Sequence, residues 1–299
     1  MSLSFVNRIA LGTTKLGMPY GAMQQIQVDE QQAQKVFAKA QQMGFNCFDT
    51  APSYGTAEKL IGRYLTPELR QTCVTKVTKL TKQEICATDL LVVEEGFQES
   101  LRNLQTQSCY GLLVHDVQDV CKPGAEYLVD WMHELKEKGR VHKIGVSVYT
   151  PEEAKEIYER FDFDLIQLPC NIFDQRFISS GVIENLTEQG VEIHARSLFL
   201  KGLLLKQASA EMATKTNVPQ TLLKHNEIFF QAMQQRNLTS YDACISFAKA
   251  QRMIDRWVVG VSTEQQLIQL SKMDEQLSVN SDFTEWAFAD FDTLDPRNW

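Results

Sequence analysis

The stretch FDTAPSYGTAEKLIG, Phe48 to Gly62, leaves an apolar strand through a turn shaped by Pro52 and Gly55 and enters a helix. Asp49 and Tyr54 sit five residues apart at that seam. The same order recurs along the chain. Apolar runs at Arg8–Thr13, Phe45–Thr50, Cys73–Thr78, Tyr110–Asp116, His142–Val148, Asp164–Pro169, Val191–Ser197 and Arg256–Ser262 read as eight strands. Amphipathic stretches separate them. Asp29–Gly44 keeps Ala33, Val36, Phe37 and Ala40 at helical spacing and ends on a C-capping Gly44. Thr150–Phe161 opens on an N-cap with Pro151 at the first helical position. This alternation, unbroken by a Pro/Gly/Ser-rich linker or a charge run, predicts an α/β protein: one (β/α)8 TIM barrel domain over residues 1–299, with an N-terminal cap.

Two stretches depart from the rhythm. Lys206–Gln220 is polar and reads as a loop or short irregular segment. The tail from Asp282, DFTEWAFADFDTLDPRNW, is aromatic and acidic and holds no ninth repeat. Its aromatics either fold back over one mouth of the barrel or pack on the outer helices.

Composition narrows the function. With 43% hydrophobic and 23% charged residues in 299, the chain is an ordinary globular protein long enough for a barrel. The net charge of -8 argues against a nucleic-acid partner, which needs clustered Lys and Arg. The seven cysteines (47, 73, 86, 109, 121, 170 and 244) form no CxxC pair and no Cys/His metal spacing, so they read as reduced thiols, and no metal is expected. The start MSLSFVNRIALG lacks the layout of a signal peptide, and no apolar run approaches a membrane span. A cytoplasmic protein with no membrane partner is the expectation.

Parallel barrels build their sites from the C-terminal strand ends and the loops after them. Asp49 ends the second predicted strand, Lys76 lies late in the third, His115 ends the fourth, and Tyr54 follows the second. Each has an ordinary explanation: a turn residue, a solvated lysine, a core imidazole. Together they put a carboxylate, an ammonium, an imidazole and a phenol on one rim. A tyrosine's pKa near 10 is high for proton donation, but a cation within reach lowers it by roughly 1–3. Lys76 would supply that cation, Asp49 would orient it, and His115 would bond a substrate oxygen. Such a phenol protonates an oxygen that gains negative charge, as a carbonyl oxygen does when its carbon accepts hydride. No side chain carries hydride, so a nicotinamide cofactor is implied. Its phosphates would sit after strands seven and eight, where Ser262 and Thr263 open a helix. There is no GxGxxG, which disfavours a Rossmann module.

These motifs resemble the aldo-keto reductase superfamily. DTAPSYG, VTKV and LLVHD match its aspartate–tyrosine, lysine and histidine segments in register, and LGTTKLG, IGVSVYT, IQLPCNIFD, ARSLFLKGLLL and VVGVSTEQQL follow in family order. The resemblance implies a (β/α)8 barrel that binds NADPH and reduces an aldehyde or ketone. It implies Tyr54 as general acid, Lys76 and Asp49 as its tuning pair, and His115 as the carbonyl-orienting residue. By position, Ser147, Gln167 and Asp49 would face the nicotinamide, Gly12 and Thr13 the ribose, and Ser197, Phe199 and Gly202 the pyrophosphate. Gly260, Ser262 and Thr263 would be further cofactor contacts after strand eight, and Gln266 would lie in the adenosine segment.

The chain also departs from the family pattern. Val148 follows Ser147 where many members have Asn, and Arg196 stands where several stack a tyrosine on the ring. Gln266 and Leu270 occupy places often held by Arg and Asn, which leaves NADH beside NADPH as a cofactor. The opening LGTTKLGMPYG resembles a bacterial branch associated with sugar and surface polysaccharide, implying a hydroxylated small-molecule substrate; Thr14, Met18, Tyr20, Phe173 and Trp286 are candidate pocket residues. Two other readings stay open: a Schiff-base lyase acting through Lys76, and a cofactor-holding subunit that senses redox state with little turnover.

Overall fold

The computed structural model describes residues 5–21, 27–272 and 282–298. Eight parallel strands close into a barrel in sequence order: β1 Ile9–Gly12, β2 Phe48–Asp49, β3 Cys73–Lys76, β4 Cys109–Val114, β5 Val141–Ser147, β6 Leu165–Pro169, β7 Glu192–Arg196 and β8 Arg256–Gly260. The last strand pairs with the first, Gly12 opposite Gly260. Helices such as Glu30–Gln42, Ala57–Tyr64, Leu90–Leu104, Ala125–Glu137 and Pro151–Arg160 follow successive strands. This is the (β/α)8 architecture expected.

Strand periodicity decides what faces where, because alternate side chains point to opposite sides of the sheet. Leu11, Phe48, Leu112, Val114, Ile144, Val146, Ile166 and Leu168 join the large core between strands and helices. Ala10, Cys47, Val74, Leu113 and Leu165 form a second, smaller cluster, with Val258 packed against it. That inner cluster fixes the site. Two residues further along the same strands come Gly12, Asp49, Lys76, His115, Gln167 and Gly260, which therefore stand one layer higher at the C-terminal mouth. At the other end of the barrel Glu192 accepts hydrogen bonds from Tyr110 (2.6 Å) and Lys143 (2.5 Å) and meets His194 Nε2 at 2.7 Å. This buried network pulls the Glu192 carboxyl far below its ordinary range, burial opposing and the bonds from His194, Lys143 and Tyr110 prevailing.

Several boundaries differ from the sequence expectation. β2 pairs only at Phe48–Asp49, since the Phe45 amide instead closes the preceding helix on Ala40 O at 3.0 Å, with Gly44 in the left-handed region at φ 78°. Thr150 and Glu153 form the capping box that the sequence implied at its N-cap end. Lys206–Gln220 is not a plain loop: Ser209 caps a short helix, Ala210–Lys215, by accepting from the Met212 amide. All seven cysteines are free thiols, with only Cys86 exposed.

The tail satisfies both expected placements in part. Trp286 packs on Phe229 at 5.3 Å, and its carbonyl accepts from His225 Nε2 at 3.0 Å, which lays the aromatics on the helix Gln220–Gln235. Gln175 donates to Phe283 O at 2.7 Å, and the Phe288 amide to Phe173 O at 2.9 Å, tying the tail to the loop after β6. Further on, the Arg297 guanidinium carbon stands 3.5 Å from the Tyr149 ring centroid, so the last turn reaches the loop after β5 at the mouth. Among the described residues no helix is long and apolar enough to cross a membrane.

Candidate active site

Asp49 and Lys76 end neighbouring strands, and parallel register brings them together: Lys76 Nζ lies 2.7 Å from Asp49 Oδ2, with side chains 0% and 4% exposed. The ammonium also donates to Thr50 O at 2.8 Å, and Gln167 Nε2 reaches the same Asp49 oxygen at 2.8 Å. A buried ion pair survives only with further hydrogen bonds of this kind, since desolvation alone would exceed its Coulomb gain. The pair is therefore a fixed dipole, with its charged atoms held.

Tyr54 is positioned by contact between two loops. A Cβ on Gly17 would fall 2.1 Å from Tyr54 O, and one on Gly55 would fall 2.4 Å from Gly17 O; Gly55 also has φ 60°. Only glycine admits such backbone approach. Thr56 donates from its amide to Gly17 O at 3.1 Å, which ties the helix turn Thr14–Gly17 to the tyrosine loop. Thr14 hydrogen-bonds the phenol, and the Lys76 ammonium stands 5.5 Å from the ring centroid. The His115 ring meets the Tyr54 ring edge-on, centroids 5.8 Å apart, and its Nδ1 lies 3.5 Å from Ser53 Oγ.

The electrostatics overturn one expectation. Burial and then the Asp49 charge raise the Tyr54 pKa well above the ordinary phenol value, with Thr14 and Arg196 pulling the other way. The anticipated lowering by Lys76 is not realised, because its charge is matched at hydrogen-bond distance by Asp49. Tyr54 holds its proton throughout the neutral range. Burial and the Lys76 charge push His115 down to about 4, so its imidazole is neutral at physiological pH.

The positions assigned to a dinucleotide divide into two groups. Ser147, which ends β5, and Gln167, which pairs with it on β6, are both buried, and Gly12 and Gly260 leave the β1–β8 rim without side chains. After β7 the backbone turns left-handed at Ser197 (φ 65°), Leu200 (45°), Lys201 (52°) and Gly202 (91°), and a Cβ at Gly202 would meet nothing within 4 Å. Non-glycine residues in that region carry strain of order 1–3 kcal/mol each, a feature of ligand clamps. The Tyr241 hydroxyl beside this loop is buried with no hydrogen-bond partner among the described residues, while its ring stacks on Phe199 at 5.6 Å. The nicotinamide and pyrophosphate end thus fits these residues.

The remaining positions already have partners within the protein. Thr13 Oγ1 donates to Asp49 O at 2.9 Å and is fully buried, so it braces the strand pair instead of facing a ribose. Ser262 donates its amide to Gln266 Oε1 at 2.7 Å, and the Gln266 amide donates to Thr263 Oγ1 at 3.3 Å, the reciprocal cap of helix Glu264–Ser271. Arg196 lies against the β5 loop, donating to Val148 O at 2.9 Å with its guanidinium 4.2 Å from the Tyr149 ring centroid. Of the pocket candidates, Tyr20 is exposed at the rim, whereas Phe173 and Trp286 are buried among His225 and Phe229 under the tail. Tyr149, Arg297 and Gly17 escaped the sequence reading. Arg297 lies 148 positions from Tyr149, and nothing local announces the contact.

Comparison with known proteins addresses this arrangement from outside. The chain aligns with Aldo-keto reductase YhdN of Bacillus subtilis at 23% identity over 303 residues, 97% of this chain and 88% of that protein. Aldo-keto reductase str7 of Strobilurus tenacellus is 28% identical over 66% of this chain and 59% of its own length. The holo form of aldo-keto reductase AKR11C1 from Bacillus halodurans superposes with a TM-score of 0.72 at 19% identity, covering 96% of this chain and 91% of that one. The Aldo/keto reductase family model matches residues 8–286, a span that runs from the turn before β1 to the aromatic tail and takes in every strand end at the mouth. The chain therefore belongs to the aldo/keto reductase family.

Proposed function

We propose that the chain is a cytoplasmic, NAD(P)H-dependent carbonyl reductase working as a single barrel domain over residues 1–299. Its family consists of oxidoreductases that generally use nicotinamide cofactors and act on small carbonyl substrates. The observation that carries the reading is the Lys76–Asp49 pair at 2.7 Å with its ammonium 5.5 Å from the Tyr54 ring centroid and His115 edge-on to that ring. A reduced nicotinamide, when bound, supplies the hydride. Tyr54 donates the proton to the carbonyl oxygen; His115, neutral, bonds the same oxygen; Lys76 and Asp49 hold the local field as the phenol loses charge-neutrality. Ser147, Gln167, Gly12 and Gly260 would hold the nicotinamide end, and the 197–202 loop the diphosphate. The substrate is a hydroxylated, sugar-type aldehyde or ketone. Tyr54 assays and initial rates on sugar aldehydes with each dinucleotide test the reading. Lys76 locked by Asp49 and Thr50 O argues against a Schiff-base role, which needs a free amine.

Discrimination between the dinucleotides is expected to be shallow. The helix Glu264–Ser271, EQQLIQLS, carries an acid and no base, and its first amides are capped internally. Without a cation on the 2′-phosphate, NADPH should bind less than about tenfold tighter than NADH, or about 1.4 kcal/mol. Fluorescence titration measures the ratio; a preference above about a hundredfold would require a cation elsewhere.

The pH profile tests His115. Its pKa is lowered to about 4, so the charged form appears only below that value. From about pH 5 to 8 the kcat/KM for reduction should show no acidic limb from this residue, instead of one near the unperturbed value of about 6.5. A limb between about pH 6 and 7 that vanishes in His115→Gln would refute the neutral imidazole.

A further inference from the structure

Three cations at the mouth are matched by acids. Lys76 pairs with Asp49 at 2.7 Å, Lys79 with Asp116 at 2.6 Å, and Arg297 with Asp295 at 2.5 Å. Arg196 differs. Its hydrogen-bond partner, Val148 O, is neutral, as is the Tyr149 ring it covers, and among the described residues no carboxylate lies within 4.0 Å of it. Asp295 feels its charge, but both Asp295 oxygens are bonded by Arg297. Arg196 ends β7 at the same C-terminal mouth that carries Tyr54 and His115, and its charge acts on both and on Tyr20.

A guanidinium has five N–H donors in a planar fork that fits carboxylate and phosphate oxygens in pairs. One edge is held by Val148 O and the plane is held by Tyr149, so the remaining donors are pre-oriented. The protein carries a net charge of -8, which would repel an anionic substrate everywhere but at a local positive spot. We propose that Arg196 selects carbonyl substrates bearing an anionic group, a carboxylate or a phosphate, beside the carbonyl reduced at Tyr54. This rests on the carbonyl-reductase reading. It makes Arg196 a specificity residue facing the substrate, where family resemblance alone would have put it on the nicotinamide ring.

Paired substrates decide the matter: 4-carboxybenzaldehyde against benzaldehyde for a carboxylate, and glyceraldehyde 3-phosphate against glyceraldehyde for a phosphate. The expected result is at least a tenfold higher kcat/KM for one or both anionic members, weakened by added salt. Arg196→Met should bring that ratio to about one whatever it does to the common rate, and Arg196→Lys should keep part of it. Equal rates within both pairs, or a ratio unmoved in Arg196→Met, would overturn the proposal. If neither member of either pair is reduced with NADPH or NADH, the reductase reading itself fails. Calorimetry with benzoate against benzamide then tests the anion site alone, and equal affinities would overturn it.

Discussion

Tyr54→Phe is expected to lower the rate of carbonyl reduction by about 10²–10⁴-fold, the contribution of a positioned general acid. The substitution removes one oxygen and keeps the ring. The edge-on contact with His115 at 5.8 Å and the loop contact between Gly17 and Gly55 depend on the ring and the backbone, so they persist. What is lost is the proton, which burial and Asp49 keep on the phenol across the neutral range. His115 cannot replace it, because its imidazole is neutral above about pH 4 and a neutral ring is a poor acid. Dinucleotide affinity should stay within about threefold, since the 197–202 loop, Ser147 and Gly12 are untouched. Single-turnover absorbance measurements at saturating cofactor separate the two quantities. Near-normal turnover in the variant would remove Tyr54 from the proton-donor role and leave it a packing partner of His115.

What could be read in advance follows from what strands and caps encode locally. Apolar runs interrupted by helical stripes specify eight β/α units, and period-two alternation places Asp49, Lys76 and His115 one layer above Cys47, Val74 and Leu113. The Thr150 cap and the turn at Gly44 were legible for the same reason: each is a matter of four or five neighbouring residues. Electrostatics was not legible. Whether a lysine lowers a phenol's pKa depends on the sum over its surroundings, and burial, followed by the charge of a carboxylate 2.7 Å from the ammonium, reverses the outcome. Nor were the long-range contacts of the tail, since Arg297 finds Tyr149 only after the whole barrel has closed. Thr13, Ser262 and Gln266 illustrate a third case. Each stands where a ligand contact was expected, yet each already has a hydrogen-bond partner within the protein, across the strand pair for Thr13 and within one helix turn for Ser262 and Gln266.

Lys76→Met should be the most damaging single change, because it acts on the fold and on the chemistry together. The ammonium is the only cation within hydrogen-bond distance of Asp49 among the described residues, and Asp49 is buried with Gln167 as its other side-chain donor. Removing one partner of a buried pair strands the other charge, at about 3–5 kcal/mol. For a chain of this length that corresponds to a fall in Tm of about 5–8 °C. Loss of reduction should accompany it, since the field beneath Tyr54 is then that of Asp49 alone, which holds the phenol proton more tightly. The two effects separate in the double variant Asp49→Asn with Lys76→Met. With no charge left to strand, most of the stability should return, as replacing a buried pair by neutral groups is often nearly neutral. Turnover should not return, because the cation that offsets the charge of the phenolate as the proton leaves is gone. A double variant that recovers both Tm and rate would show that the pair serves only to hold β2 against β3, and that proton donation draws its field from elsewhere at the mouth.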